Sequence, residues 1–240
     1  MILSAYTYSL LKEMITFVET LRIPMKRLVI FDLDGTLLDT IADLATATNR
    51  ALIHFGYSAH PTESYRYFVG NGINKLFERA LPEEERTEEN ILRIRSEFLP
   101  YYNEHNADLS CPYPGIVDLL NSLQVKGIQL GVASNKYQSA TEKLVKHYFP
   151  NITFTEVLGQ REGIPTKPHP SILTDIIQKA GVKPEETLYV GDSDVDMQTG
   201  DNAGVDTIGV TWGFRPRKEL EDMKPSGVID KAEDLLDFIN

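Results

Sequence analysis

Residues 28–40 read LVIFDLDGTLLDT. A short apolar run, Leu28 to Phe31, is followed by a turn signal, which predicts a buried strand. Asp32 ends that strand and Asp34 follows one residue later, so both carboxylates lie at the sheet edge. Crowded carboxylates repel each other and favour a bound cation. Gly35 permits a sharp turn and lets an anionic ligand approach main-chain N–H groups. A nucleophilic carboxylate, a neighbouring acid or base, a metal and an anion cradle together make a phosphoryl-transfer site. The plainer reading is an acidic turn or a calcium loop. An EF-hand is excluded, because glycine falls at the fourth loop position and Asp43, not glutamate, at the twelfth.

The chain beyond Thr40 supplies the context. Ile41, Leu44, Ala45, Thr48, Leu52 and Phe55 mark one face of a helix ended by Gly56. Residues 41–111 contain no convincing strand and read as an inserted helical cap. From Pro112-Tyr113-Pro114-Gly115 onward, helices and strands alternate. Strands are predicted at 128–133, about 154–158, 187–190 and about 206–211. Helices are predicted from Ile116, at about 139–147, at 171–180 and near 232–238. This alternation predicts an α/β fold, a doubly wound Rossmann-like parallel sheet formed by residues 25–40 and 112–240. Such sheets bind ligands outside the carboxyl ends of their strands.

Composition narrows the function. The chain has 240 residues and a formal net charge of −11 at pH 7, which argues against a nucleic-acid or anionic-membrane binder. A single cysteine, Cys111, rules out an internal disulfide framework and fits a cytoplasmic setting. It lies beside Pro112 without a local histidine pattern, which disfavours it as a nucleophile. No apolar run reaches membrane-span length. Residues 1–24 form a separate N-terminal extension, either an upstream start ahead of Met25 or an amphipathic helix that packs or dimerises. A monomer or a homodimer is expected.

Three further features fall at or just beyond the predicted strands. Ser134-Asn135 follows an apolar strand, where a hydroxyl and main-chain N–H groups can hold phosphate oxygens, or simply cap a helix. Lys167 precedes Pro168 and Pro170, which hold it off the next helix. A lysine there can neutralise a carboxylate and a phosphate, or be a solvated surface residue. GDSDVD, residues 191–196, places Asp192, Asp194 and Asp196 at alternate positions. It too fails as a calcium loop, with Met197 at the sixth position and Ala203 at the twelfth. A few carboxylates that leave room for water suit Mg2+.

Taken together, DLDGT at 32–36, Ser134, Lys167 and GDSDVD resemble the haloacid dehalogenase superfamily of phosphohydrolases. YPGIVDLL from Tyr113 and GVTWGF from Gly209 are similar to its phosphoglycolate phosphatase-like branch. The resemblance implies a Mg2+-dependent phosphatase of small phosphate monoesters working through an aspartyl-phosphate. It implies Asp32 as nucleophile and Asp34 as acid and base. Mg2+ would be bound by Asp32, the Asp34 carbonyl and Asp192, with Asp196 behind them. Gly35, Ser134, Asn135 and Lys167 would hold phosphate oxygens. Asn71-Gly72 in the cap forms a specificity loop or only a tight turn. Lys75 reads as a surface residue and His169 as a loop histidine, while Trp212 and Phe214 line the entrance or pack. The alternatives are a hexose-phosphate mutase with the same motifs and a catalytically silent binding module.

Overall fold

A computed structural model describes residues 25–239. The N-terminal extension expected over 1–24 lies outside the described residues. In chain order the elements are β1 (Leu28–Phe31), β2 (Leu38–Asp39), α1 (Ile41–His54), α2 (Tyr65–Phe68), α3 (Ile73–Ala80), α4 (Glu88–His105) and β3 (Cys111–Pro112). There follow α5 (Ile116–Val125), β4 (Gln129–Tyr137), α6 (Gln138–Tyr148), β5 (Glu156–Gln160), α7 (Ser171–Ala180) and β6 (Thr187–Gly191). The chain closes with α8 (Asp194–Ala203), β7 (Asp206–Val210), α9 (Arg217–Asp222), β8 (Gly227–Ile229) and a 3-10 turn at Ala232–Phe238.

Six strands form one parallel sheet in the order β5-β4-β1-β6-β7-β8. The continuous apolar run of β1 has a simple cause. Successive side chains of a strand point to opposite faces, and here both faces are covered. Val29 and Phe31 join one core with α5 and α6, while Leu28 and Ile30 join another with α7. The expected doubly wound α/β sheet is therefore present, one strand wider than the sequence suggests. β8 is only three residues long and sits at the edge, too short to show periodicity. β5 lies two residues beyond the expected 154–158, because register with β4 places Glu156 beside Gly131. A helix also starts at Asp194, capped by Ser193, where the sequence suggested only an acidic loop.

Residues between β2 and β3 build a separate apolar cluster on α1 to α4, around Leu52, Phe77, Phe98 and Tyr102. The chain leaves and re-enters the sheet region side by side, since β2 pairs antiparallel with β3. Asp43, 3% exposed, ties these crossings together. It accepts from Leu109 N (3.1 Å), Ser110 N (2.8 Å) and Ser110 Oγ (2.6 Å). Cys111 is exposed and free. Among the described residues no helix is long and apolar enough to cross a membrane.

Asp43→Ala would leave two buried donors of Ser110 and the partly buried Leu109 N–H without their charged acceptor. Bonds to charged groups contribute about 1.5–3 kcal/mol each in net terms, and losses that share a partner are not additive, so a cost of about 3 kcal/mol is expected. Urea unfolding checks this, and an unchanged midpoint would show that other contacts hold the crossing.

Candidate active site

Parallel register assembles the site. Phe31 lies level with Val132 on β4 and with Val190 on β6. The chain therefore leaves β1 with Asp32 beside Ala133-Ser134 on one side and Gly191-Asp192 on the other. Beyond Asp32 the backbone folds back on itself, with Leu37 N and Leu38 N both donating to Leu33 O. Gly35 has φ +90, and a Cβ there would strike the Asp192 carboxylate. Glycine is thus required by close approach. Its own N–H donates to Leu38 O (2.9 Å), so it serves the turn and does not face a ligand.

Lys167 enters from the loop before α7 and is 3% exposed. Its Nζ lies 2.9 Å from Asp32 Oδ1 and 2.7 Å from Asp196 Oδ1. It also donates to Tyr189 Oη (2.9 Å) and Ala133 O (3.0 Å). Asn135 holds the lysine's backbone: Oδ1 accepts from Lys167 N (2.8 Å) and Nδ2 donates to Lys167 O (3.1 Å) and to Gly70 O (2.9 Å). The Asn135 side-chain amide is therefore a clamp on the lysine loop, which leaves the phosphate contact expected of the main-chain N–H groups here as an expectation.

The carboxylates divide into two kinds. Asp196 is saturated, accepting from Lys167 Nζ and Tyr189 Oη at Oδ1 and from Ser193 N (3.1 Å) and Oγ (2.6 Å) at Oδ2. Burial raises its pKa, but Lys167 and these hydrogen bonds outweigh burial and hold it below the usual range. Asp32 and Asp192 are different. Burial, followed by a smaller opposing pull from Lys167 and by repulsion from Asp196, pushes Asp32 up to about 7. Burial and repulsion by Asp196 and Asp32 push Asp192 well above the usual range. Asp32 Oδ1 has its ion pair with Lys167 but no aligned hydrogen bond among the described residues.

Asp32, Asp192 and Asp196 each offer an oxygen within 4.8 Å of the others. Three carboxylates against one ammonium leave two negative charges uncompensated in a buried site. All donors are hard oxygens. That set fits a small divalent cation, and Asp32 and Asp192 are the carboxylates left to meet it.

Asp34 stands apart from this cluster. Its carboxylate accepts from Thr40 Oγ1 (2.6 Å) and, at both oxygens, from Lys136 Nζ (2.9 Å). Lys136 is almost buried and its ammonium lies 5.1 Å from the Tyr102 ring centre. A cavity of about 50 Å³ opens here, lined by Asp32, Asp34, Ser134, Lys136 and Asp192 below and by Val69, Gly72, Leu76 and Phe98 above. One water needs roughly 10–15 Å³ on the same measure, so the space suits a few waters or a very small ligand. Gly72 lines it, whereas the Asn71 side chain turns away and accepts from Arg79 Nη2 (2.8 Å). Lys75 pairs with Glu78 (2.6 Å) at the surface.

Lys136, Thr40, Tyr189 and Arg215 went unread in the sequence. Lys136 directly follows Ser134-Asn135, and that adjacency was the available signal. Tyr189 sits inside an apolar strand, where an aromatic reads as core. Trp212 donates from Nε1 to Thr36 O (3.0 Å), and Phe214 packs with the cluster of α1 to α4 while its N–H donates to Asp192 Oδ2 (2.6 Å).

With that geometry in place, comparison with known proteins is informative. The family described as haloacid dehalogenase-like hydrolase matches residues 29–210. A phosphoglycolate phosphatase of Psychrobacter arcticus is 32% identical over 221 residues, covering 89% of this chain and 96% of the relative. One from Pseudomonas putida is 34% identical over 219 residues, covering 88% and 79%. A crystal structure from Lactobacillus delbrueckii subsp. bulgaricus, described as a candidate phosphoglycolate phosphatase, superposes with a TM-score of 0.82 at 33% identity, covering 90% of this chain and 98% of that one.

The raised carboxylates have a measurable consequence. A group whose folded pKa exceeds its unfolded value stabilises the fold below the unfolded pKa, and that contribution disappears as pH rises through the folded one. For Asp32 the window runs from 3.8 to about 7, and Asp192 acts in the same direction. Metal-free protein is therefore expected to melt at least roughly 5 °C lower at pH 8 than at pH 5. Mg2+ at pH 8 is expected to restore most of the difference. Calorimetric melts with and without Mg2+ check this, and equal melting temperatures at both pH values would contradict it.

Proposed function

The chain belongs to the haloacid dehalogenase-like hydrolase family and is a phosphoric monoester hydrolase, and from that premise we propose that it hydrolyses phosphoglycolate, or a very similar phosphorylated small acid, through an aspartyl-phosphate on Asp32. The carrying observation is the set Asp32, Asp192 and Asp196, buried around the single ammonium of Lys167, which in its ionised form carries two negative charges in excess. A binding module has no evident use for such a site, whereas phosphoryl transfer requires a cation and a nucleophile in one place.

Asp32 would attack phosphorus, and the bond from phosphorus to the ester oxygen would break. Asp34 would give its proton to the departing alkoxide and then take one from the water that cleaves the aspartyl-phosphate. Bound Mg2+, held by Asp32, Asp192 and the Asp34 carbonyl, would screen the repulsion between carboxylate and phosphate. Lys167 pairs with Asp32 and aims it, and Ser134 lies beside it in the cavity to donate to a phosphoryl oxygen. Val69, Leu76 and Phe98 would exclude bulk water from the reacting atoms.

Lys136 supplies the preference for an acid. Its ammonium lines the cavity and donates to both Asp34 carboxylate oxygens. A substrate carboxylate would share the Lys136 ammonium with Asp34.

Phosphate release from phosphoglycolate, hexose phosphates, nucleotides and p-nitrophenyl phosphate tests this, with and without Mg2+. Release is expected to need Mg2+, to be fastest for phosphoglycolate and to vanish in Asp32→Asn. A phosphoryl group passed to a sugar hydroxyl instead of water would overturn the reading. Lys136→Ala is expected to raise KM for phosphoglycolate roughly 10- to 100-fold, the usual worth of a charge-assisted bond. Its effect on p-nitrophenyl phosphate, which has no carboxylate and a good leaving group, is expected to be several-fold smaller.

A further inference from the structure

The segment from Trp212 to Arg215, between β7 and α9, touches the turn after Asp32, Asp192 and the helical insert, yet the mechanism above uses none of its side chains. Trp212 Nε1 donates to Thr36 O (3.0 Å), which pins the segment to the turn after Asp32. Gly213 fits only because it lacks a side chain, since a Cβ would strike Asp192 and Gly35 O. Phe214 N donates to Asp192 Oδ2 (2.6 Å).

The same residues grip the helical insert. Arg66, on α2, donates from Nη1 to Gly213 O (2.9 Å). Arg215 donates in return from Nη1 to Arg66 O, and from Nη2 to Val69 O (3.2 Å). Each guanidinium thus holds the other segment's backbone carbonyl. Arg215 is 7% exposed, and Glu219 Oε1 lies 3.1 Å from its Nε, so its charge is paired. The Phe214 side chain is buried among the insert's apolar residues although its backbone belongs to the sheet region.

We infer that Arg66 and Arg215 are positioning residues: through the strap 212–215 they make the placement of Asp192, and hence the affinity for a divalent cation, depend on docking of the helical insert. This rests on the cation site proposed above. The reasoning is mechanical. The Phe214 N–H can fix Asp192 Oδ2 only while residues 213–215 keep their course. That course is set on one side by Thr36 and on the other by contacts with the insert: Arg66 reaching down to Gly213 O, and Arg215 and the buried Phe214 side chain reaching up. Any ligand that strengthens docking must then tighten cation binding, and the cation must tighten docking by the same factor.

The test is calorimetric titration of the full chain with Mn2+, without substrate. Arg66→Ala and Arg215→Ala are each expected to weaken Mn2+ binding about 5- to 10-fold, the lower range of usual coupling. The double variant is expected to lose less than the product of the two, because both act through one strap. Phosphatase activity in both single variants is expected to recover at saturating Mg2+, with kcat restored. Arg66→Lys is expected to keep part of the affinity. Glu63→Ala removes the other partner of Arg66 (2.8 Å) without touching either arginine–carbonyl bond, and is expected to bind Mn2+ as the parent does. Should Arg215→Ala unfold, Arg66→Ala decides, because the Arg66 side chain is 37% exposed and its loss leaves the core intact. Unchanged Mn2+ affinity in Arg66→Ala and Arg215→Ala would overturn the strap while leaving the cation site standing. A parent chain that binds no Mn2+ overturns both.

Discussion

One ammonium organises this molecule. Lys167 lies buried between Asp32 and Asp196, and its charge decides which carboxylate stays ionised without help. Asp196 receives the lysine, a tyrosine hydroxyl and the Ser193 cap, so its charge is fully solvated by protein groups. Asp32 and Asp192 receive much less. Burying a charge without compensation is costly, and the group shifts its pKa or acquires a counter-ion. The site therefore holds electrostatic demand in two named carboxylates.

The fold around it serves to keep that demand unmet by the protein itself. β1, β4 and β6 end level with one another, which brings Asp32, Ser134 and Asp192 together at one sheet edge. The Asn135 amide fixes the lysine loop from one side, and Tyr189 supports the ammonium from the next strand. These contacts are to backbone or to uncharged groups, so they position Lys167 without neutralising the aspartates. The helical insert closes the top with apolar side chains, where low polarity strengthens every charge interaction beneath it.

Much of this was legible in the chain. β1 announced itself because both its faces are buried, giving four apolar residues in a row. The helices at 41–54, 116–125 and 171–180 showed 3.6-residue periodicity because each covers one face of a core. Other elements were silent. β8 has three residues, β2 and β3 two each, and none is long enough to show a period. α8 begins inside the acidic run, whose carboxylates masked the Ser193 cap. The clamp made by the Asn135 side chain was not legible, because a polar residue at a strand end carries no mark of what its amide will face. Lys136 carries no local signal that sets it apart from a surface lysine.

Local chemistry and spacing thus determined the strand that ends on Asp32, the alternation that makes the sheet parallel, and the aspartates brought to its edge. These follow from burial patterns and turn residues that act over a few positions. Tertiary structure alone decided which aspartates remain unsatisfied, that Lys136 reaches Asp34 from 102 positions away, that Arg215 reaches the Arg66 carbonyl across 149 positions, and that Arg66 reaches the Gly213 carbonyl across 147. Those outcomes depend on distances between segments that approach only when the sheet and insert pack. No periodicity encodes them, because a guanidinium or an ammonium on a long side chain can face solvent or a buried carbonyl with the same local sequence around it.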